Sequence, residues 1–337
     1  MLNLQHYWDS TFAKLIQECF EEDTIRPSIY RPFTKMWHYG GKTFNHSFYS
    51  MPKIFPDASA KNLVICVSGV GSRAFSTLIS DALPCLDNIE KGQCFPLYLY
   101  EEAQEEAGEQ PSLFGAGNSG STRNRRDAMT DEGLAHFQQA YPSEEISKED
   151  VFYYIYGLLH SPDYRERYAD NLSKELPRIP CVKKSADFWA FSKAGRDLAT
   201  LHLNYETVDM FPAKVEGDDG KLAPEAYRVL KMKYGKKKVD GKNVNDLSTI
   251  QYNSRITVSG IPEEAYEYVV NGKSAIDWVM ERQCVKTDKA SGIENDANDW
   301  AIETMNNPRY PLELLLRVIT VSLETIKIVK ALPKMDI

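Results

Sequence analysis

An α+β architecture in two lobes follows from three features of the 337-residue chain. Prolines at 27, 32, 52, 56, 84 and 96 break the first hundred residues into short extended pieces. Helical periodicity sets in after about Lys148, and period-two alternation returns between 226 and 259. Hydrophobic residues at 42% and charged residues at 26% match an ordinary globular composition, and the length suits about two domains of roughly 150 residues each. The expected layout is a β-rich lobe over 1–100, an acidic then Gly/Ser/Arg-containing linker over 101–147, and a helical plus β-hairpin lobe over 148–337 that ends in a long helix.

The opening "MLNLQHYWDSTFAKLIQECF" reads as an amphipathic helix and lacks the basic start, apolar run and small-residue cleavage site of a secretory signal. "IRPSIYRPF", "MWHYGGKTFNHSFY", "NLVICVSG" and "CFPLYLYE" suit a twisted sheet, because their prolines disfavour long helices. From Glu101, five Glu in nine residues and then Gly, Ser and Arg leave too little apolar surface to order a segment. "EDVFYYIYGLLHS" opens the helical section. Ser161 then caps, and Pro162 starts, the next helix, since its missing N–H costs nothing at the first position. Tyr164, Tyr168, Leu172 and Leu176 give that helix an inward stripe up to Pro177. Phe188, Phe191, Leu198, Leu201 and Tyr205 do the same for a helix from about Asp187.

"YRVLKMKYG" and "TIQYNSRITVSG" alternate as a hairpin or meander, with Asp240-Gly241 as a turn pair and "NVNDLS" as an insert that loosens a tight turn. "IPEEAYEYVV" and "SAIDWVMERQ" read as two short helices. Leu312, Leu315, Ile319, Leu323 and Ile326 mark the closing helix, which Val318, Val321 and Ile328 widen enough to pack against another domain or helix.

Several function classes drop out. Mean hydropathy is −0.44, and no run approaches the about 18 uncharged residues of a membrane span, so the default compartment is the cytoplasm. Cysteines at 19, 66, 85, 94, 181 and 284 include no CxxC pair, which excludes zinc ribbons and disfavours a disulfide scaffold; Cys66 reads as a small buried hydrophobe. The six histidines lack metal-binding spacing, and His160 and His202 read as satisfied core residues. No GxSxG elbow, Gly-Lys-Ser/Thr loop or paired carboxylates stand out, so no self-contained catalytic activity is expected. Gly69-x-Gly71-x-x-Ala74 after a strand has the spacing of a pyrophosphate-binding turn. Pro84 breaks the second strand that motif needs, and a structural turn accounts for it better. A methyltransferase or dinucleotide enzyme built on this turn is the rival reading. "NNPRYP" is superficially similar to an adenine-holding methyltransferase loop, but Arg309 replaces the second proline and a helix start explains it better.

What remains is charge. Forty Lys and Arg against 48 Asp and Glu give net −8, which argues against a surface coated for nonspecific nucleic-acid binding. Yet Arg228, Lys231, Lys233, Lys236, Lys237, Lys238 and Lys242 face a single acid, Asp240, within fifteen residues, with Tyr227 and Tyr234 interleaved. A two-stranded ribbon so charged can enter a DNA groove and gain from counterion release. A solvated edge strand guarded by lysines is an equal account of the same residues. "RNRR" at 123–126 is a second candidate, of the kind more often found in a mobile basic segment.

Several strings, taken together and in order, resemble one family: "YRPFTKMWHY", "NLVICVSGVGS", "YIYGLLHSPDYRERYADNLSKELPRIP", "FWAFSKAGRDLATLHLNYE", "TIQYNSRITVSGIPEEAYEYVVNGKSAIDWVMERQ" and "NPRYPLELLLRVITVSLETI". They are similar to the C-terminal target recognition region of Type ISP restriction-modification enzymes. In these single polypeptides nuclease, helicase-like ATPase and adenine methyltransferase domains precede the specificity domain. The resemblance implies sequence-specific recognition of double-stranded DNA, with helicase/ATPase and methyltransferase domains of the same or a partner chain as partners. It also implies that S-adenosylmethionine (SAM), ATP and Mg belong to upstream domains, with no cofactor in this region. On that expectation Lys231, Lys233, Lys236, Lys237 and Lys238 hold phosphates and Arg228 or Arg255 reads guanine. Lys286 and Lys289 in "QCVKTDKASGI" are further candidates, and a plain surface turn explains them nearly as well. A structural domain that docks helicase to methyltransferase through the last helix is the remaining reading.

Overall fold

The computed structural model describes residues 22–41, 45, 47–102 and 123–337; the expected opening helix and most of the acidic run lie outside the described residues. Among the described residues of the first hundred positions, the regular structure is mostly strand. β1 (Ile25–Arg31) and β2 (Thr34–Tyr39) pair antiparallel, and α1 (Met51–Ile54) follows. β3 (Val64–Val67) lies between β4 (Thr77–Ser80) and the later β6 (Gln93–Pro96), antiparallel to both, while β5 (Leu83–Pro84) extends the first sheet alongside β1. All four residues of β3 are buried, which is why it reads as a continuous apolar run.

The described parts of the stretch expected to be a linker, 101–102 and 123–147, include regular structure. β7 (Tyr98–Glu102) pairs with β8 (Arg123–Asp127), and α2 (Asp131–Ala140) follows, its first turn capped where Thr130 Oγ1 accepts from Gly133 N at 3.1 Å. A polar, charged segment orders here because a strand partner takes up its backbone and two rings, Phe137 and Tyr141, are buried.

α3 (Lys148–His160) starts with a capping box: Asp150 N donates to Ser147 Oγ at 3.1 Å and Ser147 N donates back to Asp150 Oδ2 at 3.0 Å. Ser161 and Pro162 open α4 (Pro162–Arg167) as expected. The single helix expected up to Leu176 does not form. The backbone breaks at Tyr168 (φ −107°, ψ 18°) before α5 (Ala169–Leu172), so Tyr164 and Leu172 are buried and Leu176 is exposed. α6 (Ser185–Leu203) crosses α3 at a pair of glycines. A Cβ on Gly157 would stand 2.1 Å from Phe191 O, and one on Gly195 1.8 Å from Tyr153 O, so the two backbones touch.

Next come β9 (Lys214–Glu216), β10 (Lys233–Val239), β11 (Lys242–Gln251) and β12 (Thr257–Ser259), in one antiparallel sheet of order β10-β11-β12-β9. "IPEEAYEYVV" gives only a 3-10 turn, Glu263–Tyr266. Its end is instead β13 (Val269–Val270), paired with β14 (Lys273–Ser274) through Asn271 and Gly272 at φ 51° and 74°. Two β-branched residues before an Asn-Gly turn favour a hairpin over a helix. α7 (Ala275–Arg282) is capped by Ser274, β15 (Val285–Thr287) pairs with β16 (Glu294–Asp296), and α8 (Tyr310–Lys330) closes the chain.

Among the described residues there are two cores, and β3 serves both. Val64 and Cys66 join α7, α8 and the sheet of β10–β12; Ile65 and Val67, on the other face, join α2, α3 and α6. In the second core Tyr154 stacks on Phe188 at 4.8 Å. Leu312, Leu315, Val318, Ile319 and Val321 of α8 are buried in the first core, so the apolar stripe of that helix is covered by its own chain. A buried network ties the elements together: the Tyr156 hydroxyl lies 2.6 Å from His202 Nδ1, His202 Nε2 lies 2.9 Å from Thr325 Oγ1, and Tyr268 stacks on the imidazole at 5.2 Å. A neutral ring protonated on Nε2 satisfies both bonds. Burial pushes His202 down to about 3, and burial with the nearby Arg165 charge holds His160 well below its ordinary value. No helix of the described residues is long and apolar enough to cross a membrane.

Candidate nucleic-acid interface

The lysine-rich segment forms a projecting ribbon. Asp240 and Gly241, at φ 50° and 75°, make a two-residue turn between β10 and β11 with Val239 opposite Lys242. "NVNDLS", expected as a loosening insert, is strand up to the turn. The extra length is absorbed further down, where Tyr234 pairs with Ile250 but the next pair is Gly235 with Asp246. This is an enlarged β-bulge, and the space at Gly235 is tight, since a Cβ there would lie 3.0 Å from that of Thr249. Residues 228–232, expected as strand, are not strand. Asn298 replaces a strand partner: its Oδ1 accepts from Val229 N at 2.9 Å and its Nδ2 donates to Val229 O at 3.0 Å.

The bulge divides the ribbon. On the root side Ile250 is buried and the half-buried Tyr234 donates to Asp277 at 2.7 Å. Beyond it, residues 236–245 are exposed on both faces. Opposed residues of a ladder share a face and neighbours alternate. The register therefore puts Lys236, Lys238, Asn243 and Asn245 on one side and Lys237, Val239, Lys242 and Val244 on the other. Contacts agree with this division. Lys236 Nζ donates to Asn245 Oδ1 at 2.5 Å, whereas Lys237 Nζ lies 3.8 Å from Asp246 and 4.0 Å from Glu263. One face leans towards acids of the body. The other carries two ammonium groups and two carboxamides and no carboxylate.

The remaining candidates divide differently. Lys231 and Lys286 flank Cys284: burial raises that thiol, and the charges of Lys286 and Lys231 pull the other way. Lys286 also donates to Glu281 at 2.8 Å. Burial raises the Glu281 carboxyl, but hydrogen bonds from Lys273 and Lys286 and the Arg282 charge outweigh it and hold it at about 2. Arg228 donates to Asp296 at 2.5 Å. Arg255 donates to Gly217 O at 3.2 Å from the turn after β11, at the opposite end of that strand from Gly241. Lys289 is exposed in the turn after β15. Lys233, Lys236, Lys237 and Lys238 thus share one ribbon, the charges of Lys231 and Lys286 both act on Cys284, and Arg255 stands apart. Tyr227 is buried and Tyr234 half-buried, with their hydroxyls bonding Asp218 and Asp277, so neither ring stands out on the ribbon surface.

In "RNRR", Arg125 lies over the Tyr98 ring at 4.1 Å and Arg126 bonds Glu101 at 2.7 Å, so both are held on β8. Asn243 and Asn245 were not anticipated, because a carboxamide adds nothing to a charge count. Their two-residue spacing after an Asp-Gly turn is the signal that marks them.

The Gly69–Ala74 turn does not have a dinucleotide site's geometry. It links antiparallel β3 and β4, with no crossover helix, and its N–H groups have protein acceptors: Gly69 N to Glu90 O (3.1 Å), Gly71 N to Ser173 O (3.2 Å) and Arg73 N to Glu90 Oε2 (3.1 Å). A Cβ on Gly69 would lie 2.0 Å from Lys91 O, so close packing accounts for that glycine. At "NNPRYP", Asn307 Oδ1 accepts from Arg309 N at 3.0 Å just before α8, and Arg309 pairs with Asp218 at 2.8 Å, as a helix start requires.

Residues 3–314 match the family description "Type ISP C-terminal specificity domain". Among solved structures, the chain is similar to the ATP-dependent Type ISP restriction-modification enzyme LlaBIII bound to DNA (TM-score 0.80, 36% identity, 98% of this chain and 20% of that one). It is also similar to a nuclease-deletion mutant of the Type ISP enzyme LlaGI in complex with a DNA substrate mimic (TM-score 0.75, 38% identity, 95% of this chain and 26% of that one). A third similar structure is the DrdV–DNA complex (TM-score 0.75, 33% identity, 95% of this chain and 29% of that one). The chain therefore spans under a third of each of these proteins. No curated protein matches it. With an ordered α+β fold, a projecting cationic ribbon and this family match over nearly its whole length, the chain belongs to the Type ISP C-terminal specificity domains.

Proposed function

We propose that this chain selects the DNA site on which a restriction-modification enzyme acts, and that the outer part of the β10–β11 ribbon is the part that meets the duplex. The carboxylate-free face of that ribbon, on an otherwise acidic chain, is the observation that carries the reading. A two-stranded ribbon fits the major groove, about 12 Å wide. Lys236 and Lys238 bring their positive charge into it, against the phosphate-lined walls. Lys237, balanced by Asp246 and Glu263, contributes less. Lys231, Lys286 and Lys289 are secondary contacts beside the ribbon root. Arg228, engaged by Asp296, and Arg255, beyond the root, fit guanine reading less well.

The family places adenine methyltransferase and helicase/ATPase modules before such a domain, in the same or a partner chain. In this reading they carry the chemistry, their cofactors and many of the phosphate contacts, and the assembly works in the cytoplasm, where its substrate lies. The deciding experiment is methylome sequencing of cells whose intact enzyme has this region exchanged for that of a relative. The modified motif should follow the region; a motif that stays with the recipient's other modules overturns the reading.

A further inference from the structure

We propose that the outward face of the ribbon reads base identity, with Asn243 selecting an adenine in the major groove and the Lys236–Asn245 pair selecting a guanine about two base-pair steps away. The inference rests on the target-selection reading and deepens it. The Asn243 carboxamide has no hydrogen-bond partner among the described residues, and it stands beyond the bulge where the ribbon is exposed on both faces. A free carboxamide presents an acceptor and a donor in one plane. In the major groove that pair matches the adenine N6–H donor and N7 acceptor, whereas guanine offers two acceptors there. Asn245 is different. Its oxygen already accepts from the Lys236 ammonium, so the exposed pair offers mainly donors, the remaining ammonium and amide hydrogens. Such a donor-rich pair suits guanine O6 and N7.

Asn243 and Asn245 lie two residues apart on one face, a separation of about 6.7 Å along a strand, close to two base-pair steps of about 3.4 Å each. A ribbon lying along the groove thus sets the two readers about two steps apart. The opposite face carries no carboxamide: near the turn it exposes Val239, Val244 and the Lys242 ammonium, and Lys237 is drawn to Asp246.

The test uses the intact enzyme that carries this chain, as wild type and as Asn243→Ala, Asn243→Thr, Asn245→Ala and, for the other face, Lys237→Ala. Binding is measured by fluorescence anisotropy on a duplex containing the methylated motif and on a set in which each base pair is replaced in turn. Both Asn243 variants should lose about 5- to 100-fold of the preference for A·T at one position, while affinity for an unrelated duplex stays within about twofold of wild type. Asn245→Ala should relax a G·C position about two steps away, and Lys237→Ala should relax none. Asn243→Thr keeps a strand-favouring residue, so agreement between the two Asn243 variants separates lost readout from a disturbed ribbon. If the Asn243 variants weaken every duplex alike, or keep every preference while region exchange still moves the motif, this inference fails and the target-selection reading stands. If region exchange leaves the motif unchanged, both fail together.

Discussion

The α3–α6 crossing and the outer β10–β11 ribbon are specified by opposite means. At the crossing, two backbones meet at Gly157 and Gly195 with no room for a methyl group, and Tyr154, Phe188 and Phe191 are buried around it. On the ribbon beyond Gly235, no side chain enters a core, and the shape comes from a two-residue turn and a ladder of backbone hydrogen bonds. The fold is therefore written in close contact in one place and in backbone geometry in the other. Changes at the first should be felt throughout the molecule, and changes at the second only by whatever the ribbon meets.

The largest effect is expected where packing is tightest. Gly195→Ala or Gly157→Ala forces the helices apart and should destabilise the chain by about 3 kcal/mol or more in denaturant unfolding; a loss near zero would mean that the crossing can relax. Next comes pH. His202 is held neutral down to about 3 when folded, whereas an unfolded histidine takes up its proton near 6.5. Between those values the unfolded chain binds the extra proton, so stability falls as pH drops, by up to about 1.4 kcal/mol per unit from this residue. Unfolding midpoints measured from pH 7 to 4 should fall faster in wild type than in His202→Phe.

The ribbon should behave in the opposite way. Lys236→Ala with Lys238→Ala should weaken DNA binding by the intact enzyme about tenfold and flatten the slope of log affinity against log salt by about 1.8, with the thermal midpoint unchanged. A shifted midpoint would show that these lysines carry structure after all. The smallest effect is local. Gly241→Ala, with open space around it but φ at 75°, should destabilise the hairpin by about 1 kcal/mol, seen as faster amide exchange in β10 and β11 without a change in global unfolding.

The same contrast explains which parts of the molecule the sequence disclosed. Where apolar periodicity and caps coincide, as at Ser147–His160, Ser161-Pro162 and the Leu312–Val321 stripe, expectation and structure agree, because burial imposes the pattern on the residues. Where order comes from a partner distant in the chain, composition misleads. Residues 123–140 look like a linker until β7 pairs with β8 and Phe137 finds the second core. Residues 228–232 alternate like a strand, yet the Val229 backbone is claimed by the Asn298 side chain, 69 residues away. "NVNDLS" has no apolar alternation, because a ribbon exposed on both faces imposes none. Of the interface, the lysines announce themselves by charge. Which face each occupies depends on the bulge at Tyr234–Gly235, and that follows from tertiary register, not local sequence.

The bulge has one last consequence. Because residues 236–245 hang clear of both cores, a substitution at 236, 238, 243 or 245 leaves the rest of the molecule indifferent. If these positions meet the duplex as proposed, the surface presented to DNA can change by single replacements with no compensating repair elsewhere in the fold.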